Sequence, residues 1–325
     1  MVWAVLTDAM TQVEDTSREM RLDRESFAQG YFENAVYRHW DPYGDIPQED
    51  LEADRRKLIE DEPTEAEFDE LRTVLALFGA GEEAVTEDLM PLGLALDDIN
   101  KQMFVSSQIY EEAKHTQFFD RYWREVVNPV AEELGYEVTK PTDQRYYGQD
   151  YIDLFDKNEA AMELLIDEDT PENRAKAYCH YHLVIESVLA QTGYFGIQSS
   201  FSDAGSDEVA QREFPNLDGL VAGITKIRSD EGRHVGFGMN EVRHLVHEEG
   251  VDPETVQQTL QSLMPHVAGL LQEATGVATD PVPLIEYSRD KLTRRVEILT
   301  ERDAEVPPVD DLVKIEGADE EAAAD

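Results

Sequence analysis

Four glutamates of this chain fall where a helix should present only apolar side chains, and that restricts its fold more than any other feature. Long stretches repeat apolar residues at three- and four-residue spacing, and none keeps the two-residue alternation of a sheet, so the fold class reads as all-α. In the helix that starts near Thr64, one stripe holds Leu71, Val74, Leu75, Phe78, Val85, Leu89 and Leu92, with Glu82 on it and Glu83, Glu87 and Asp88 off it. Pro91 is expected to bend or end this helix just beyond. In "YEEAKHTQFFDRYW" the inward face runs through Phe104, Gln108, Glu112, His115, Phe119 and Tyr122, which leaves Glu111 and Lys114 outside. The most apolar helix surrounds Glu186 with Leu183, Leu189 and Ala190. A last face passes through Leu220, Ile224, Ile227, Glu231, His234, Gly238 and Val242.

An ionised carboxylate buried alone costs several kcal/mol, so four in one core need positive charge among them. A pair of divalent cations would supply it. A lone Glu from each of two helices and a Glu-x-x-His from each of two others is the ligand set of di-metal carboxylate four-helix bundles. Here those residues are Glu82, Glu186, Glu112 with His115, and Glu231 with His234. Carboxylate and imidazole donors without thiolate suit iron or manganese. Chance alone gives about one Glu-x-x-His in a chain with this much Glu and His, and three are present, so the motif by itself carries little. Its weight comes from the apolar faces that two of them share. The third, Glu241 and His244, is expected at a solvated helix end beside His247, Glu248 and Glu249. His39, His180, His182 and His266 are expected at the surface or hydrogen-bonded in the core.

Further helices are expected at about 102–127, 149–166, 171–200, 216–248, 253–275 and 281–302. The division expected is an amino-terminal arm over residues 1–60 packing on the bundle, a helical di-metal domain over 61–303, and an acidic tail over 304–325, disordered from about Glu305. "SFSDAGSDEVAQREFPN" reads as an inserted loop. The formal net charge is −43, a field that repels nucleic acid and anionic membrane. Acid spread along the whole chain, with only nine Lys among 28 basic residues, suits a protein soluble in concentrated salt and so a halophilic source. The single cysteine, Cys179, excludes an intramolecular disulfide and fits a reducing cytoplasm, where it is expected as a small core residue. No run has the ~18 apolar residues of a membrane span, and "MVWAVLTDAM" lacks the basic flank of a signal peptide, so a soluble cytoplasmic protein is expected.

The segments "GAGEEAVTEDLMPL", "YEEAKHTQFFDRYW", "YHLVIESVLAQTGYFG" and "DEGRH", with "YRHWDPYGDIP" ahead of them, resemble the ligand-binding oxidases that are related to the ribonucleotide reductase small subunit. The likeness runs from about Phe27 to Pro265. It implies a ferritin-like four-helix bundle with additional helices, holding manganese and iron, or two irons. Glu82 and His115 would bind the first metal, Glu186 and His234 the second, with Glu112 and Glu231 at or between them. It further implies dioxygen activation, a long-chain fatty acid held near the metals, an ether cross-link between Val85 and Tyr181, and a homodimer. The electron donor is not identified by any residue. The chain differs from the family pattern in a shorter stretch between Glu82 and Glu112, a longer loop from about Ser199 to Asn216, and the acidic tail.

The alternative is the radical-generating small subunit of ribonucleoside-diphosphate reductase, which has the same ligand order. Its radical tyrosine commonly lies four residues after the first ligand histidine, where this chain has Phe119, and no tyrosine follows Tyr287 for a carboxy-terminal relay. Iron-storage proteins and acyl desaturases share the bundle logic. Storage proteins are usually shorter, and an acidic acyl carrier would be repelled by this surface at low salt.

Overall fold

The computed structural model describes residues 22–203, 206 and 208–315. Its helices are α1 (Phe27–Tyr37), α2 (Gln48–Asp61), α3 (Glu65–Ala95), α4 (Ile99–Tyr122), α5 (Asn128–Leu134), α6 (Gln149–Asp167), α7 (Pro171–Tyr178), α8 (Gln191–Phe201), α9 (Asp218–His247), α10 (Pro253–Ala274), α11 (Pro281–Thr300) and α12 (Val309–Leu312). Among the described residues there is no strand, only an isolated bridge between Ala210 and Thr279. Nor is any described helix long and apolar enough to cross a membrane. The all-α, ferritin-like reading holds.

Local chemistry explains where the long helices start. Thr64 caps α3 through a reciprocal capping box with Glu67, whose carboxylate accepts the Thr64 N–H at 2.8 Å. Three others open on a capping residue followed by proline, at Thr170–Pro171, Asp252–Pro253 and Asp280–Pro281. The helix holding Pro91 continues four residues past it and ends at Ala95.

Two predicted helices are not uniform α-helix. The run from Ile99 to Leu134 widens into a π-helical turn at Trp123–Val127. The run from Pro171 to Phe201 is π-helical over Cys179–Ala190, the segment that carries both Tyr181 and Glu186. Wider turns of this kind occur often at functional sites.

α3 packs on α4, and α9 on the π segment, so the four ligand-bearing runs face one another. A Cβ at Gly238 would sit 2.2 Å from the Cβ of His182, so the missing side chain lets α9 and the π segment approach this closely. α1 rests on α4 and α9, and α2 on α9 and the π-helical turn after α4, so the described part of the arm is helical and joined to the bundle.

The tail is a correction. Up to Ile315 it is packed rather than disordered, with Leu312 and Ile315 buried and α12 lying on α9. The Val309 carbonyl sits over Gly232, where a Cβ would come within 2.6 Å, and the buried Arg295 donates to the Leu312 carbonyl at 2.6 Å. Those few apolar residues anchor a segment whose overall composition is acidic. Residues 316–325, like the amino-terminal 1–21, lie outside the described residues.

Candidate metal centre

Each of the four runs delivers its ligand candidates to the middle of the bundle. Glu82, Glu112, His115, Glu186, Glu231 and His234 are all buried. Donor atoms of Glu82, Glu112, His115 and Glu231 lie within 4.8 Å of one another, and so do those of Glu112, Glu186 and His234. Glu112 belongs to both groups, so the arrangement is two adjoining candidate cation sites with a shared carboxylate.

The histidines point one nitrogen at each site. His115 Nδ1 lies 3.3 Å from Glu82, 3.2 Å from Glu112 and 3.5 Å from Glu231. His234 Nδ1 lies 3.1 Å from Glu112, 3.3 Å from Glu186 and 3.6 Å from Glu231, but makes no hydrogen bond. Glu186 Oε2 and Glu231 Oε2 are also buried with no hydrogen-bond partner. Orphaned lone pairs gathered in one buried cluster fit cations. Burial, then the neighbouring Glu231, pushes the Glu186 carboxyl up to about 8, and burial raises Glu82 well above the carboxylate range. Burial would lower His115 and His234, but the surrounding carboxylates reverse this and raise both. Too little positive charge stands among too many acids, and two divalent cations would correct it.

The outward nitrogens have acidic partners of their own, and these residues were not anticipated from the sequence. His115 Nε2 lies 3.1 Å from Asp230, and His234 Nε2 lies 2.9 Å from Glu111. Each partner precedes the Glu of the other motif, so α4 and α9 each orient the other's histidine. Such partners fix the tautomer and ring orientation of ligating histidines. Asp230 also accepts from Trp40 Nε1 at 2.7 Å and pairs with Lys114 at 2.7 Å and Arg233 at 2.5 Å, while Arg233 pairs with Glu111 as well.

Glu111 and Lys114 are therefore inside, contrary to the expectation that they face out. They lie at the contact between α4 and α9, which buries more than one stripe of each helix. A signal was present: both motifs read acid-Glu-x-base-His, at Glu111–His115 and Asp230–His234. The third Glu-x-x-His has Asn240 in the acid's place. It is also corrected in part, because Glu241 is buried and paired with Lys101 at 2.8 Å, while His244 is half-exposed beside Glu249. Of the remaining histidines, His39 is exposed, His182 bonds Gln108 at 3.2 Å, and His266 pairs with Asp150 at 2.9 Å.

An apolar cavity adjoins the carboxylates. Val85 and Tyr181 line it together with Glu82, Glu112, Glu186 and Glu231. The Tyr181 hydroxyl donates to Glu112 at 2.7 Å, and Gln108 Nε2 donates to Glu186 at 2.9 Å and to the Tyr181 oxygen at 3.3 Å. Tyr194 lines the same cavity, fully buried, with its hydroxyl unpartnered.

No family model matches the chain. Solved structures do, over most of its length. A Tyr-to-Phe variant of an R2-like ligand-binding oxidase with an aerobically reconstituted Mn/Fe cofactor aligns at a TM-score of 0.71 and 25% identity, covering 86% of this chain and 96% of that one. A Val-to-Leu variant with an anaerobically reconstituted Mn/Fe cofactor aligns at 0.72 and 25%, covering 91% and 99%. The chain resembles the R2-like ligand-binding oxidases. The likeness covers 86–91% of this chain and nearly the whole of the two oxidases. At the position of a reductase radical tyrosine, Phe119 is buried and stacks on Phe78 at 5.4 Å, with no hydroxyl.

Proposed function

We propose that this chain is an oxidoreductase, a di-metal oxidase that holds manganese and iron and activates dioxygen beside an apolar ligand cavity. The observation that carries this reading is the pair of cation sites sharing Glu112, with the cavity at their edge and the Tyr181 hydroxyl on Glu112 itself. In this reading Glu82 and His115 bind one metal, Glu186 and His234 the other, and Glu112 and Glu231 lie at or between them. When bound, such a pair supplies electrons for reducing dioxygen. The chain supplies the rest. Asp230 and Glu111 orient the imidazoles, Gln108 holds Glu186, and the apolar walls keep water from the reacting atoms.

The finer reading is an ether cross-link and a long-chain, fatty-acid-like ligand. Val85 gives up its Cβ–H and Tyr181 its O–H, a carbon–oxygen bond forms between them, and dioxygen takes the two hydrogens with two electrons. Glu112 is placed to receive the phenolic proton, since it already accepts that hydrogen bond. A fatty-acid ligand would set its carboxylate on the metals and its chain along the apolar walls. We further propose that the protein works as a homodimer in the cytoplasm of a halophile, in keeping with its charge of −43.

One observation favours the reductase subunit as a second reading. A hydrogen-bonded line runs from His115 through Asp230 to the buried Trp40, whose ring lies 4.7 Å from the buried Lys114 ammonium, itself 6.0 Å from the ring of the exposed Tyr110. That line could carry an electron to or from a partner chain.

Peptide mass mapping separates the two. Protein loaded with manganese and iron without oxygen is exposed to air, and the oxidase reading expects the Val85 and Tyr181 peptides joined with loss of two hydrogens. Val85→Ala should abolish the joined mass while metal oxidation continues. Unmodified, separate peptides despite full metal loading would shift the assignment to the reductase subunit.

A further inference from the structure

The cavity has two ends of opposite chemistry. One is the carboxylate floor. Its long walls are α3, from Glu82 back to Glu67, and the π segment with α8, from Glu186 to Ser200. At about 1.5 Å per residue both walls extend roughly 20 Å, so a ligand with its head on the floor points its far end at the residues around Phe201 and Phe214.

That far end is apolar in effect although two acids line it. Glu67 is turned to Arg212, 2.7 Å away, and to the amino terminus of α3. Glu70 accepts the backbone N–H groups of Val277, Ala278 and Thr279 at 2.7, 3.0 and 2.7 Å. With both carboxylates engaged elsewhere, the rings of Phe214 and Phe201, 5.5 Å apart, stand with Leu58 and Pro63 among the groups at that end.

Phe214 is also held firmly. The Arg212 guanidinium lies 3.9 Å over its ring while pairing with Asp61 and Glu67. Three backbone bonds tie its segment to two others, from Leu217 N–H to Phe201 at the end of α8, and from Gln211 N–H to Ala278 and Asp280 N–H to Val209 along the stretch ahead of α11. A ring held in this way makes a stop with a defined position.

We infer that Phe214 is the specificity-determining residue that limits the length of a straight apolar chain whose polar head meets the carboxylate floor. This rests on the proposal that an amphipathic ligand occupies the cavity. Shortening the side chain opens room at the far end, and each methylene that fills it strengthens binding about fourfold, the equivalent of ~0.8 kcal/mol per buried CH2. Enlarging it does the reverse.

The test is competition binding of a graded series of straight-chain fatty acids to the metal-loaded full chain, in wild type, Phe214→Ala and Phe214→Trp. Expected is a preferred chain that is longer in Phe214→Ala and shorter in Phe214→Trp, with metal content unchanged. The same preferred length in all three proteins overturns the stop and leaves the ligand reading standing. Wild type that binds no member of the series overturns both. If either variant fails to fold, the other still decides, because their shifts are opposite in sign.

Discussion

Two Glu-x-x-His motifs lie ten residues apart on α9 and meet different fates. Glu231 and His234 face three other glutamates and a second histidine, with two buried atoms left unbonded. Glu241 is as deeply buried and its Oε1 likewise lacks a hydrogen-bond partner, but Lys101 supplies its counter-charge and the Tyr178 hydroxyl lies 3.5 Å away. His244 turns outward to Glu249. The same spacing on the same helix thus makes a candidate cation site in one place and an ordinary ion pair in the other. What separates them is whether the surrounding helices bring more acid or a base.

The sharpest way to break this contrast is to remove the carboxylate that both sites share. Glu112→Ala should take the metal content from two per chain to less than one by elemental analysis, while Glu241→Ala keeps two. Equal metal content in the two variants would erase the distinction.

Next in size is the loss of an orienting partner. Asp230→Asn and Glu111→Gln should each weaken metal retention about 10- to 100-fold in chelator competition, because the outward nitrogen of His115 or His234 loses its charged acceptor. Asn240→Ala, the equivalent position before Glu241, should leave retention unchanged.

Removing the base from the second motif should cost stability rather than metal. Lys101→Met leaves Glu241 buried and unpaired, and a denaturation midpoint should report a loss of about 2 kcal/mol, below the usual cost of breaking a buried pair because Lys101 is partly exposed. Adding Glu241→Gln should recover much of it.

The smallest effect is acid sensitivity at the cavity's far end. The hydrogen bond from Arg212 holds Glu67 down at about 2, below its unfolded value of 4.5. Its contribution is therefore complete above pH 4.5 and lost as pH falls towards 2. The stability difference between wild type and Glu67→Gln should be about 1 kcal/mol at neutral pH, after allowing for solvent screening, and vanish at the acid end. A difference that grew on acidification would contradict the pairing.

Much of the centre was legible because burial and charge conflict openly in the sequence. Glu82, Glu112, Glu186 and Glu231 each interrupt an apolar stripe, and only a shared cation explains four such interruptions together. Glu111, Lys114 and Asp230 were not legible in this way. They lie off the stripe, and a reading of single helices assigns such positions to solvent. Their burial follows from how closely α4 meets α9, which depends on the pairing of helices and not on the periodicity of either. The tail up to Ile315 escaped for a related reason, since Leu312 and Ile315 are too few to outweigh the surrounding acid until Gly232 is seen to admit the chain.

The π-helical segment has a consequence for how this chain tolerates insertions and deletions. Successive α-helical residues advance by ~100° around the axis, so removing one residue between Cys179 and Ala190 without a wide turn closing to α in compensation would rotate everything beyond it by an angle of that order. A deletion before Glu186 would swing its carboxylate out of the candidate metal centre, and one after it would move Tyr194 and Ser200 off the cavity wall. Along these twelve residues the count of amino acids is itself under constraint, independently of which amino acids they are.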